Sequence, residues 1–349
     1  MKEEGRILNP SRILLTRIKF IGDVVLTTPV VRAVREKFPD AYIAYLGDKK
    51  SVSLLDNNPS LNEIIPFDFS RPTLFEQPRI AWLLRKRKFD VVVDLFSNPR
   101  SALLSYLSGA PVRIGKDVKG RGNLYTHRIR DDGGMKSAIA FHYQYVRPLG
   151  VEPTYWRTEI FLTDEEKREA GIFLRWQEVD GTKPIVALHP GATWPNKMWL
   201  KEYFAELIDR LSIRLNAAVI LSLGPEDASL GEYFARRCFG RIRILPVLPL
   251  RQLAAVLSQC RAFVTNDCGP MHIAVAVGTP TVGIFGPEPE EVWFPYSESE
   301  GHRAIRKNIW CSPCRTTKCF RGADDYLECM KLVTVSEVYE AVASRIQPR

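Results

Sequence analysis

The chain has 349 residues, 45% of them apolar and 26% charged, the composition of a soluble globular protein long enough to form two domains. No run of eighteen apolar residues occurs, and the first twenty residues hold no apolar signal-peptide core; this argues against a helical membrane span and leads us to expect a cytoplasmic protein. The net charge of +9 is lopsided, because residues 1–159 carry 26 Lys and Arg against 17 Asp and Glu whereas residues 160–349 carry 23 of each.

Such an excess suggests that the first half meets something anionic: nucleic acid, an acidic lipid surface or a phosphorylated acceptor. A solvated basic surface with no partner is the alternative. In chain order, Arg12 to Arg17 reads as a strand, Ile21-Gly22-Asp23 as a turn, Val24 to Lys37 as a helix stopped by Phe38-Pro39-Asp40, and Ala41 to Leu46 as a second strand. Asp23 falls just past the carboxyl end of the first strand, the edge where open α/β sheets bind ligands, although Asp is also a common helix cap there. Asn62 to Phe67 is a short strand, Arg79 to Lys88 a basic helix, and FDVVVDLFS an apolar strand of the buried parallel type. SALLSYLSGAPVRIG gives a helix and a strand. KDVKGRGNLYTHRIRDDGGMKS, rich in Gly and charge and without apolar period, is expected to be a mobile loop. AIAFHYQYVRPLGV suggests a helix ending at Gly150, and VEPTYWRTEIFLT a linker. The domains expected are 1–160 and 161–349.

The second half alternates more cleanly. KPIVALHPGA, AAVILSLG, IRILPV, RAFVTN and TVGIFG read as strands, separated by helices such as WLKEYFAELIDRLSIRL and LRQLAAVLSQC. Repeated strand and helix at this spacing predicts an α/β fold of two facing Rossmann-like domains with a cleft between them. No G-x-G-x-x-G follows the first strand of either half, which counts against a dinucleotide oxidoreductase. No nucleic-acid recognition motif with interleaved aromatics occurs either.

Chemistry concentrates in the loops after the second-half strands. His189 to Trp199 offers Thr193 and Lys197 near a helix start; Gly224-Pro225-Glu226-Asp227 offers a carboxylate; Asp267 to His272 is a tight turn into an apolar helix. A Lys, a hydroxyl and a helix N-terminus suit a diphosphate, and a Glu at the edge suits a ribose diol. Each is also what an ordinary βα turn contains, but three at successive strand ends point to a nucleotide diphosphate.

RIKFIGDVVLTTPVVRAVREKFP, HPGATWPNKMW and TNDCGPMHIAVAVGTPTVGIFGP resemble the signatures of the ADP-heptose:lipopolysaccharide heptosyltransferases, glycosyltransferase family nine. The resemblance runs from about Ile13 to the C-terminal helix. It implies GT-B architecture, with Val335 to Ile346 as a closing helix returning to the N-terminal domain. The first domain would bind the acceptor and the second the nucleotide sugar. It further implies an inverting transfer with Asp23 as base, Thr193 and Lys197 on phosphate, Glu226 on the ADP ribose, and Asp267, Gly269 and His272 as the donor-sugar and diphosphate turn. Ala192 departs from members that have a second Thr there. The partners implied are ADP-heptose, an anionic lipid-linked core oligosaccharide and peripheral contact with the cytoplasmic face of the inner membrane, with no nucleic acid and no cofactor. Arg100, Arg113, Lys116, Lys119 and Arg121 are the acceptor or membrane contacts expected from charge. Another nucleotide sugar and another cell-surface glycan acceptor remain the alternative.

Cys311, Cys314, Cys319 and Cys329 have spacing compatible with a zinc site, but a loop packed without metal is the expectation. Cys268 is expected to be a small filler, and His127 and His142 to be surface or acceptor-side residues.

Overall fold

The computed structural model describes residues 9–118, 120–130, 133–134, 136–238, 240–322 and 325–346. The chain divides into two compact units, residues 1–161 and 162–349.

The first unit holds six strands: β1 (Arg12–Arg17), β2 (Tyr42–Asp48), β3 (Glu63–Phe67), β4 (Val91–Asp94), β5 (Val112–Lys116) and β6 (His127–Ile129). They pair in parallel in the order β3-β2-β1-β4-β5-β6. The central strands are apolar on both faces because helices cover both; Ile13, Leu14, Leu15, Val91 and Val93 are fully buried. Where one helix was expected over 24–37, two short ones form, Ile21–Leu26 and Thr28–Lys37. The break is local: the Thr27 and Thr28 hydroxyls donate to Val24 and Val25 carbonyls, and Pro29 has no N–H to continue the ladder.

Two expectations need correcting here. The Gly-rich segment is not wholly loop, since His127–Ile129 pairs with Ile114–Lys116 as the edge strand β6; three residues are too few to show a period. His142, expected to be a surface or acceptor-side residue, is not on the surface: it is 2% exposed in the helix Ala138–Val146. Burial, then the charge of Arg17, pushes its pKa down to about 3, so the ring is neutral.

The second unit repeats the winding with β7 (Ile185–His189), β8 (Ala218–Leu221), β9 (Ile242–Ile244), β10 (Ala262–Asn266), β11 (Thr281–Phe285) and β12 (Arg303–Arg306) in the order β12-β11-β10-β7-β8-β9, again parallel. It opens with a helix the periodicity did not reveal, Asp164–Trp176, started by a reciprocal capping box between Thr163 and Glu166. The closing helix Val335–Ile346 packs against this unit's own core. Val338, Ala341 and Val342 are buried in one core cluster with Leu207, Leu211 and Val264. Both sheets reverse winding direction beside their first strand, between β1 and β4 and between β7 and β10. In such sheets the loops at the carboxyl ends diverge there and leave a crevice.

Candidate active site

In the second unit the crevice is built from the loops after β7 and β10. Asn266, the last residue of β10 and fully buried, accepts from the Trp199 amide (2.9 Å) and donates to the Pro190 carbonyl (2.7 Å). One side chain thereby ties both ends of the β7 loop to the neighbouring strand. Trp199 itself is anchored by its indole N–H on the Val333 carbonyl, 3.0 Å away. That brace brings Lys197 to the turn after β10, where its ammonium lies 2.7 Å from the Asp267 carboxylate. The two side chains are 16% and 7% exposed, so the pair is sheltered but reachable.

The turn feeds the helix Gly269–Ala276; its N-cap residue Cys268 makes no side-chain cap, Pro270 has no N–H and the Met271 amide donates to the Cys268 carbonyl (3.2 Å), so the positive helix end meets an anion through the Gly269 amide. His272, one turn in and 4% exposed, is hydrogen-bonded through Nδ1 to the Tyr296 hydroxyl at 2.7 Å. Its pKa is pushed down to about 3 by burial and then by the nearby Lys197 charge, which makes it a neutral hydrogen-bonding group. Burial likewise pushes the Cys268 thiol up to about 12, so it is no nucleophile and sits against the Thr265 hydroxyl as a filler.

The loop after β8 closes the other side. Asp227 accepts from the Gly224 amide (2.7 Å) and lies so near Gly191 that a Cβ there would come 2.2 Å from its carboxylate oxygen. Gly191 is therefore required for close approach of the β7 and β8 loops. Glu226, beside Asp227, is exposed, as is Thr193 on the facing loop. Lys197, Asp267, Gly269 and His272 are thus brought together directly, while Thr193 and Glu226 stand on the adjoining loops.

In the first unit, Asp23 lies in the first turn of the helix after β1 and takes a 2.5 Å ion pair from Arg17 Nη2. Arg17 is the last residue of β1 and 7% exposed, with its ring-stacked guanidinium 4.1 Å from the Phe96 centroid. Its Nε and Nη1 have no partner among the described residues. The preceding Phe20 adopts φ 69°, a left-handed conformation that aims the chain into the helix so that Asp23 is held at the sheet edge. Asp23 does not cap the helix through its side chain; its carboxylate is 14% exposed and held by one cation.

The family description of glycosyltransferase family 9 (heptosyltransferase) matches residues 79–323, more than half of the chain. This protein belongs to that family. It is a glycosyltransferase. Lipopolysaccharide heptosyltransferase 3 of Escherichia coli is 27% identical over 299 residues, covering 81% of this chain and 85% of that protein. The crystal structure of the glycosyl transferase family 9 from Veillonella parvula superposes with a TM-score of 0.82 at 23% identity, covering 97% and 98% of the two chains. The structure of the E. coli ADP-heptose lps heptosyltransferase II does so with a TM-score of 0.78 at 23% identity, covering 96% and 98%. The fold is accordingly GT-B.

The transferase's basic residues are used unevenly. Arg100 follows β4 on the carboxyl edge, stacked over Phe69 at 4.9 Å, and Lys116 ends β5 with its ammonium 5.1 Å from the Phe141 ring. Arg113 instead enters β5 and donates to the carbonyls of Leu124 (2.8 Å) and Ala110 (2.5 Å), a structural use that does not put it with the other two. Arg121 is half-buried, and Lys119 lies outside the described residues. The four late cysteines, all free, border one small cavity with Arg321 and Phe320, and burial pushes the Cys329 thiol up to about 11. Among the described residues no group of three or more His, Cys, Asp or Glu is arranged to hold a metal ion. No helix among them is long and apolar enough to cross a membrane.

Sequence reasoning missed Arg17, Asn266, Asp227 and Tyr296. A signal existed for Arg17, a cation inside an otherwise apolar strand six residues before Asp23, and for Asn266, a polar residue ending another. Tyr296 had none.

Proposed function

We propose that this glycosyltransferase moves heptose from ADP-L-glycero-D-manno-heptose to a Kdo or heptose residue of the lipopolysaccharide inner core, with inversion, at the cytoplasmic face of the inner membrane. The observation that supports it best is the convergence of Lys197, the uncapped N-terminus at Gly269 and neutral His272 at one sheet switch point, a cradle for a diphosphate. The proteins it resembles carry heptosyltransferase names. In this assignment Lys197, Thr193 and the Gly269 amide stabilise charge gathering on the departing diphosphate. Glu226 binds the ribose diol, and Asp267 and His272 hold sugar hydroxyls. Asp23 removes the proton from the acceptor hydroxyl as that oxygen attacks the anomeric carbon and the bond to ADP breaks. Arg17 keeps the carboxylate oriented and its charge balanced. The donor edge belongs to residues 162–349 and the base to residues 1–161.

Transfer from ADP-heptose to a panel of truncated core acceptors, with the product anomer read by NMR, tests the assignment. Asp23→Asn should lower transfer by roughly 10²–10⁴-fold, the usual weight of a general base, with ADP affinity unchanged. Lys197→Gln should instead weaken ADP binding at least about tenfold, the loss of one charge-assisted contact. Retained anomeric configuration, or equal loss of ADP binding in both variants, would defeat the roles assigned.

A further inference from the structure

The helix Thr73–Arg87, between β3 and β4, turns its wrong side to water. Its buried positions are Glu76, Ile80 and Leu84, one regular stripe of i, i+4 spacing. At 100° per residue, positions 74, 75, 78 and 82 fall within about 100° of one another on the opposite face. That face should be polar, yet Leu74, Phe75 and Trp82 are 78%, 70% and 64% exposed. Pro78 lies among them and is exposed too.

Charge flanks this apolar strip on one sign only. Arg85 and Lys86 are exposed, and the Lys86 ammonium rests 5.2 Å from the Trp82 ring, the arrangement of an amphipathic side chain lying at an interface. Glu76, the one acid of the helix, is fully buried and neutralised by Arg79. The neighbouring helix Pro99–Leu107, packed against this one, adds Leu103 and Tyr106, 39% and 52% exposed.

We propose that the outward face of Thr73–Arg87 seats the first unit on an anionic lipid bilayer, with Leu74, Phe75 and Trp82 entering the headgroup region and Arg85 and Lys86 meeting lipid phosphates. An aqueous surface leaves three large apolar side chains hydrated, whereas the interface of a bilayer buries them and rewards flanking cations. Charge complementarity selects the lipid: the face carries no exposed carboxylate, and residues 1–159 hold the whole excess of +9. This deepens the function proposed above, in which the acceptor is lipid-anchored, by saying which surface meets its membrane.

The experiment is co-sedimentation of the full chain with vesicles of phosphatidylcholine alone or of about three parts phosphatidylcholine to one of phosphatidylglycerol. The protein should pellet with the anionic vesicles and not the neutral ones, and added salt should weaken but not abolish binding, because the aromatic contribution is not screened. Phe75→Ser/Trp82→Ser should lower the partition coefficient at least about tenfold, and Arg85→Glu/Lys86→Glu should abolish preference for the anionic vesicles. Both variants should keep the wild-type melting temperature and full transfer to a delipidated, soluble acceptor. Wild-type protein that stays in the supernatant, or an aromatic double variant that binds as tightly, overturns the proposal. So does light scattering that finds a wild-type dimer split by Phe75→Ser/Trp82→Ser, since the face would then meet a second copy. A wild type that binds vesicles but transfers no heptose would instead sink the proposed function and leave the docking face standing.

Discussion

Replacing Asn266 with alanine should strip the donor edge of its brace. The side chain is fully buried; it accepts from the Trp199 amide at 2.9 Å and donates to the Pro190 carbonyl at 2.7 Å and, at a longer 3.4 Å, to the Gly191 carbonyl. Trp199 is 2% exposed, so water does not easily replace the lost acceptor there. Each backbone group left buried without a partner costs about 1–3 kcal/mol, so losing the two shorter bonds costs about 2–6 kcal/mol. Against the usual ~5–15 kcal/mol of a folded unit, that is a large fraction. Asn266→Asp should be no milder, because a carboxylate can still accept from Trp199 but places an oxygen against the Pro190 carbonyl. Urea unfolding followed by tryptophan fluorescence reads the stability. Hydrogen exchange reads the Trp199 amide, which should lose protection before the rest of the unit. ADP binding should weaken in parallel, because Lys197 rides on the released loop. An Asn266→Ala protein within about 0.5 kcal/mol of wild type, with the Trp199 amide still protected, would refute the reasoning.

The Arg17 and Asp23 pair predicts a separation of stability from activity. Asp23→Ala leaves a guanidinium 7% exposed with no counter-charge, and unfolding should become easier by about 3–5 kcal/mol. Adding Arg17→Met should recover most of that loss without recovering transfer; a double variant as unstable as Asp23→Ala would show that the pair is not the cause. Buried histidines give a pH dependence, to which His189, its pKa also lowered by burial, adds in the same direction. His142 and His272 titrate in the fold at about 3, against about 6.5 in an unfolded chain. The unfolded state therefore binds more protons in this interval, and stability falls as pH drops below about 6.5 by up to ~1.4 kcal/mol per pH unit for each ring. Buried Asp94, with its pKa raised by desolvation, acts in the opposite direction at lower pH. Urea midpoints at pH 7.5 and 5.5 check this, and a midpoint that does not fall contradicts neutral, proton-refusing rings.

What the sequence made legible follows from local physics. β1 at Arg12–Arg17 and the turn at Gly269 were readable because apolar runs, Gly and Pro act over a few residues. Thr193, Lys197, Asp267 and His272 were readable as strand-end loops. The split near Thr27 was not, because it depends on hydroxyls choosing carbonyls three residues back. The helix Asp164–Trp176 was hidden by charge: only Ala170 and Leu174 are buried, too few to mark a period. Asn266 was hidden for another reason, since its partners Trp199 and Pro190 are set by the winding order that places β10 beside β7. Arg113 looked available as a cation, yet it donates to the Ala110 carbonyl just before β5 and to the Leu124 carbonyl on the segment that returns after it.

The near-collision of Gly191 with Asp227 sets a limit on redesign. An engineer wishing to retune nucleotide preference would look first at the glycine-bearing loop, yet any larger residue there evicts the carboxylate that fixes the next loop. Variation is accommodated at its exposed neighbours, Thr193 and Glu226, whose side chains can change length and polarity without disturbing the wall behind them.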